Sequence, residues 1–167
     1  MRKNTRFLIH SAMIAALYMV LTHLQNLIFP DSTSFVIQFR ASEALCVLAF
    51  STPAAVPGLT LGTLLFNITF PALPLDFLLG SLATLLAALC MRKSRALTLK
   101  GYPLVGLLMP ALWNGLIVGW ELAVVIGGGF VYNAVTVALG ELAVLLSLGS
   151  ALYYALRIRG LDKKLFG

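Results

Sequence analysis

The chain has 167 residues, of which 60% are apolar and only 11% charged, and its mean hydropathy is +0.96. Soluble domains carry about 25% charged residues, so there is too little polar surface here to face water all round, and the composition specifies an integral membrane protein. The net charge of +6 does not point to nucleic acid, because eleven of the twelve Lys and Arg residues fall in three short polar segments: Arg2, Lys3 and Arg6; Arg92, Lys93, Arg95 and Lys100; Arg157, Arg159, Lys163 and Lys164.

The first apolar run, 7–29, follows the basic start, runs past signal-peptide length and has no small-residue cleavage site after it, which predicts a retained span. Two elements follow at 41–51 and 54–70, separated by Thr52-Pro53, with Val56-Pro57-Gly58 just beyond; these breakers allow a tight turn. The fourth element is 74–91, and after the second basic segment come 104–126 and 131–156. A span needs about 20 apolar residues, and the 41–51 element is short; an alternative topology makes 41–51 and 54–70 a re-entrant hairpin with the same parity. Basic residues at helix ends mark the cytoplasmic side. Three basic segments separated by four and then two crossings predict six transmembrane helices, with both termini cytoplasmic. The expected class is all-α, a multi-pass cell-membrane protein forming a single transmembrane domain over 1–167. The longest outer connection, 30–39, mixes Ser32-Thr33-Ser34 with Phe35-Val36-Ile37 and is a candidate lid.

The remaining charges do not belong in a bilayer. Arg40 and Glu43 open the second helix, Asp76 opens the fourth, and Glu121 lies near the outer end of the fifth. Glu141 lies ten residues into the sixth, about 15 Å deep. All five map to the outer half. An ionisable group at the bilayer centre costs at least about 2.5–3.5 kcal/mol, so it faces a cavity or a partner, and clustering on one side indicates a pocket open outward. Asn67, Trp113, Asn114, Trp120 and Asn133 extend the pattern, with Asn114 and Glu121 seven apart and Asn133 and Glu141 eight apart on single helical faces. Simpler readings exist for some: Arg40 and Glu43 pairing with each other at i, i+3, Asp76 as a helix cap, and Trp120 as an interfacial belt residue. Carboxylates with amides and indoles suit a flat heterocycle that is cationic or carries an amidine-like N–H edge. Arg40 is expected to orient Glu43 and not to touch ligand.

The first helix also carries Ala12 and Ala16, and Ser11 and Ala15, small pairs four apart on which another membrane helix can approach closely. There is no phosphate-binding Gly-x-x-x-x-Gly-Lys-Ser/Thr loop, no His-Glu-x-x-His pair and no Gly-x-Ser-x-Gly elbow. Cys46 and Cys90 lack metal-ligand spacing, and His10 and His23 are thirteen apart on one helix. Neither a catalytic group, a metal site nor a cofactor is expected.

Several segments carry a family resemblance: Phe39-Arg40-Ala41-Ser42-Glu43-Ala44-Leu45-Cys46-Val47-Leu48, Thr52-Pro53-Ala54-Ala55-Val56-Pro57-Gly58-Leu59, Leu75-Asp76, Gly80-Ser81-Leu82-Ala83-Thr84-Leu85-Leu86-Ala87, Trp113-Asn114-Gly115 and Gly140-Glu141. With the small-residue stripe on the first helix, the chain resembles the S components of energy-coupling factor (ECF) vitamin transporters, and most closely the QueT family assigned to queuosine precursors. The resemblance implies a substrate-binding subunit that takes up a 7-deazaguanine, such as the 7-aminomethyl or 7-cyano form, or queuine. It also implies docking through Ala12 and Ala16 onto a transmembrane T subunit driven by two ATPase subunits. Glu43, Asn67, Asp76, Trp113, Asn114, Glu121, Asn133 and Glu141 are then the ligand-binding candidates, with Trp113 or Trp120 as the stacking face. The competing readings are an S component for another vitamin-like heterocycle, a proton-coupled carrier with Glu141 as its relay, and a membrane enzyme or structural subunit.

Overall fold

The computed structural model describes residues 3–30, 32–33, 38–70 and 73–166, with the side chain of Lys163 excepted. In chain order the helices are α1 (Lys3–Ile28), α2 (Ala41–Ser51), α3 (Ala55–Thr69), α4 (Asp76–Ser94), α5 (Leu104–Val125), α6 (Phe130–Ile158) and a short α7 (Leu161–Phe166). No described residue lies in a named strand. Against the expectation of six full spans, α1, α4, α5 and α6 are long and apolar enough to cross a membrane, while α2 and α3 are shorter apolar helices.

The breaks between helices have local causes. Thr52 precedes Pro53, whose ring disfavours the helical region for its neighbour, and Thr52 is extended at φ −136°, ψ 139°, ending α2. Between α4 and α5, Leu99 and Tyr102 exchange backbone hydrogen bonds of 2.8 and 3.0 Å around Lys100 and Gly101, both at positive φ. Between α5 and α6 the turn is Gly127, Gly128 and Gly129, with φ of 95°, 82° and 83°. Only glycine enters that region without cost.

The bundle is apolar outside and less apolar inside, as lipid requires. On α1 the buried residues are Ser11, Ile14, Ala15, Tyr18 and Thr22, whereas Leu8, Met13, Leu17, Val20 and Leu27 are exposed. Lipid tails are as apolar as leucine, so close backbone approach drives association, and the small residues show where it occurs. A Cβ on Gly58 would lie 2.8 Å from the Ser11 carbonyl, and one on Gly62 would lie 2.9 Å from the Ala15 carbonyl, so α1 and α3 meet through these pairs. A Cβ on Gly119 would lie 2.6 Å from the Ala134 Cα, which sets the α5–α6 contact. Ala12 and Ala16 are left exposed.

Helix α2 is short because the chain enters the bundle before it becomes helical. The Gln38 carbonyl lies against Gly140, with no room for a Cβ there, and Gly140 is ten residues, about 15 Å, into α6. From that depth α2 runs beside α6, with Val47 3.5 Å from the Cβ position of Gly149 and the Phe50 and Tyr153 rings 5.8 Å apart. Non-helical backbone at membrane depth is tolerated only where protein covers it, and Thr33, Gln38 and Arg40 are all buried. The proposed lid at 30–39 falls partly on residues 31 and 34–37, which lie outside the described residues.

A buried polar cluster at the end of the bundle

The first seven residues of α2, Ala41–Val47, form a 3₁₀-helix. With three residues per turn, side chains at i and i+3 eclipse, which places Cys46 over Glu43. The Cys46 thiol donates to Glu43 Oε2 at 3.0 Å. The Tyr18 hydroxyl on α1 donates to Glu43 Oε1 in a short hydrogen bond, so both oxygens of this carboxylate are satisfied within the protein. One turn further along α1, the Thr22 hydroxyl donates to the Tyr18 carbonyl at 2.7 Å and shares a 2.7 Å hydrogen bond with the Ser42 hydroxyl, which donates to it.

Arg40 does not pair with Glu43. Its backbone is extended at φ −104°, ψ 104°, so helical i, i+3 adjacency does not apply, and the guanidinium turns away toward α4. Arg40 Nη2 lies 3.6 Å from Asp76 Oδ2, with both side chains buried. Its Nε donates to the Thr33 carbonyl at 2.8 Å, and Cζ sits 5.7 Å from the Phe66 ring centroid. Asp76 makes no capping hydrogen bond; the N-cap of α4 is Leu75. Asn67 on α3 donates from Nδ2 to the Asp76 carbonyl at 2.9 Å. Gly80 makes the room, since a Cβ there would lie 2.8 Å from both Asn67 Nδ2 and Asp76 Oδ1.

Helices α5 and α6 contribute the other two carboxylates. Asn114 donates from Nδ2 to Glu141 Oε1 at 3.2 Å, 27 residues apart in sequence. Glu141 also lies within electrostatic reach of Glu43 and Arg40, and Glu121 within reach of Asp76 and Arg40. Four carboxylates therefore lie within electrostatic reach of one guanidinium, Asp76 in contact with it, and all five side chains are at most 5% exposed.

What remains unmatched defines the site. Asn67 Oδ1, Asp76 Oδ1, both oxygens of Glu121 and Glu141 Oε2 are buried acceptors without a hydrogen-bond partner. Arg40 Nη2 and the Trp113 indole N–H are buried donors in the same condition. Buried polar groups in proteins are paired in more than 90% of cases, and each exception calls for a reason. Here five acceptors and two donors go unmatched among the described residues.

Of the expected site residues, Glu43, Asn67, Asp76, Asn114, Glu121 and Glu141 lie in this cluster. Trp113 is half-buried beside it in sequence. Asn133 lies elsewhere: its Nδ2 donates to the Gly127 carbonyl at 2.7 Å, holding the glycine turn. Trp120, weighed as a stacking face, is 50% exposed on the outside of α5. Tyr18 was missed, although Ser11, Ala15, Tyr18 and Thr22 repeat at helical spacing as the polar face of α1. Gln25 was missed as well. Its side chain donates to Ser32 Oγ at 3.0 Å and to the Phe39 carbonyl and accepts from the Ala41 amide at 2.7 Å, which ties Ser32 and the start of α2 to α1. No cluster of three or more His, Cys, Asp or Glu suited to a metal occurs among the described residues.

No curated protein and no solved structure matches the chain significantly. The family model described as QueT transporter matches residues 8–158, nearly the whole length, and its membrane character agrees with the four long apolar helices; the chain belongs to the QueT transporter family.

Proposed function

We propose that this transporter-family chain is the substrate-binding S component of an ECF importer, capturing a queuosine precursor from outside the cell. The ligand in this reading is a 7-deazaguanine such as the 7-aminomethyl form, or queuine. The carrying observation is the set of five unmatched acceptors and one unmatched donor in the buried cluster, with the unmatched Trp113 indole N–H next to Asn114 in sequence. A free 7-deazaguanine base offers N–H groups at N1, N9 and the exocyclic amine, and acceptors at O6 and N3; the 7-aminomethyl form adds a cation. Its N1–H and amine form the amidine-like edge that one carboxylate accepts in two hydrogen bonds. Glu121, with both oxygens open, is assigned to that edge, Glu141 Oε2 and Asp76 Oδ1 to the remaining N–H groups, and Arg40 or Trp113 to O6. Glu43 and Asn133, engaged within the protein, are assigned to holding the site and its neighbouring turn.

Charge supports the same class. Four carboxylates and one guanidinium leave a formal excess of three negative charges. An uncompensated buried charge is not tolerated, so the site suits a cationic or proton-rich ligand and repels an anion. In this reading six helices cross the membrane with both termini cytoplasmic, α2 covering the inner part of its crossing and the non-helical residues Gln38 to Arg40 leading into it. The exposed Ala12 and Ala16 dock the T subunit, and two ATPase subunits supply the energy, the chain itself having no phosphate-binding loop.

Calorimetry of the purified chain in detergent tests this against 7-aminomethyl-7-deazaguanine, 7-cyano-7-deazaguanine, queuine, guanine and unrelated vitamins. Tight binding of one deazapurine is expected. Binding of a different heterocycle would keep the site and replace the substrate. Silence across the panel would overturn the reading and favour a carrier that uses Glu141 for protons.

A further inference from the structure

At the end of the bundle opposite the polar cluster, two cavities adjoin. One, of about 540 Å³, is lined by Lys3, Arg6 and His10 together with the apolar Phe7, Pro53 and Phe166. The other, of about 620 Å³, is a groove of apolar side chains, among them Met13, Ala16, Leu17, Leu48 and Leu152. His10 and Phe166 line both, and their rings pack edge-on with centroids 5.3 Å apart. A largely apolar chamber edged by the exposed cations Lys3 and Arg6 thus adjoins an apolar trough along α1.

We propose that this pair of cavities binds one anionic phospholipid, its phosphate against Lys3 and Arg6 and one acyl chain in the Met13–Leu17 groove. The two parts have different jobs. An acyl chain gains little by leaving other acyl chains, so the groove fixes position and fills space, while discrimination between lipids falls to the headgroup. Neither Lys3 nor Arg6 forms an ion pair with a described residue, and basic pockets beside membrane helices attract anionic headgroups. Helix α7 closes the wall through Phe166, so the lipid would also brace the C-terminal helix against α1. The inference does not depend on which ligand the polar cluster takes, but the groove includes Ala16, so the lipid and the proposed T subunit would compete for that part of α1.

Native mass spectrometry of the delipidated chain, titrated with phosphatidylglycerol or phosphatidylcholine, tests it. One phosphatidylglycerol is expected to bind in clear preference to phosphatidylcholine. Each cation near an anionic headgroup contributes about a factor of five, so Lys3→Gln/Arg6→Gln should weaken phosphatidylglycerol about 25-fold and leave phosphatidylcholine unchanged. Met13→Trp, which fills the groove at an exposed position, should weaken both lipids. Circular dichroism confirms that each variant is folded. Equal binding of the two lipids by the parent, or indifference to both sets of substitutions, would overturn the proposal. So would displacement of phosphatidylglycerol by millimolar inorganic phosphate, which would mark a site for free anions, and so would retention of no lipid, which would leave the groove to a protein partner.

Discussion

Glu121→Gln separates a residue kept for a ligand from one kept for the fold. Both Glu121 oxygens are buried without a well-formed hydrogen bond, the Leu75 backbone being the polar group in looser reach, so replacing the carboxylate by an amide of the same shape removes at most that weak contact and removes a buried charge. Stability should hold or rise by about 1 kcal/mol. Binding should move the other way. If a ligand N–H edge uses both oxygens, the amide keeps one acceptor and turns a donor toward the other N–H. The loss of one charge-assisted hydrogen bond, about 1.5–3 kcal/mol, raises Kd about 10- to 150-fold. Glu43→Gln is the internal control, because its two oxygens accept from Tyr18 and Cys46. That variant should lose about 1–3 kcal/mol of stability, a fall of about 2–10 °C in Tm for a chain of this length. Thermal unfolding followed by tryptophan fluorescence in one detergent, with calorimetry on the same samples, reads both quantities. A fall in Tm for Glu121→Gln as large as that of Glu43→Gln would show that Glu121 has a structural partner and refute the reasoning; unchanged binding would remove Glu121 from the ligand.

Arg40→Met should be the most damaging change in the cluster, costing about 3–5 kcal/mol because Asp76 is left as an unpaired buried charge; Arg40→Met/Asp76→Asn should recover a good part of it in the same unfolding measurement. Gln25→Ala removes the hydrogen bonds to Ser32, Phe39 and Ala41 and should speed ligand release about tenfold in stopped-flow dissociation while lowering stability by about 1–2 kcal/mol. Ala12→Leu/Ala16→Leu should leave unfolding and calorimetry unchanged and abolish co-purification with a T subunit, whereas Gly62→Leu, pushed into α1, should lower Tm.

Element positions were legible because membrane helices announce themselves by length and by basic ends. The expected 41–51, 54–70 and 104–126 fall within a residue of α2, α3 and α5 at each end, and the expected 7–29 misses four residues at the start of α1. The depth at which each begins was not legible. Nothing in Gln38-Phe39-Arg40 signals extended backbone packed against Gly140, since that arrangement depends on a glycine about a hundred residues away. For the same reason the i, i+3 spacing of Arg40 and Glu43 misled: the periodicity holds inside a helix, and Arg40 stands just outside one. The 3₁₀ geometry that brings Cys46 to Glu43 leaves no compositional trace either. The carboxylates themselves were legible because lipid makes each of them expensive and so worth explaining. Tyr18 was not, because tyrosine is ordinary at a membrane surface and only its place on the Ser11–Thr22 face makes it part of the core.

Helix α1 shows how one span serves two masters. Ser11 and Ala15 are spent inside the bundle, where Gly58 and Gly62 of α3 approach their backbone. Ala12 and Ala16, rotated about 100° from them, remain outside. Had the chain needed only to fold, large side chains at those outer positions would have served as well as those at Leu8, Met13 and Leu17, all exposed on the same helix. Further along, Tyr18, Thr22 and Gln25 hold Glu43, Ser42 and the segment at Phe39. The inward stripe of α1 thus runs from backbone packing to the wall of the polar cluster, so a tilt of this helix moves the groups that hold the site. In the proposed importer, a T subunit seated on Ala12 and Ala16 would grip the same rigid rod that carries Tyr18 and Gln25, which supplies a direct mechanical route from docking to release of the ligand.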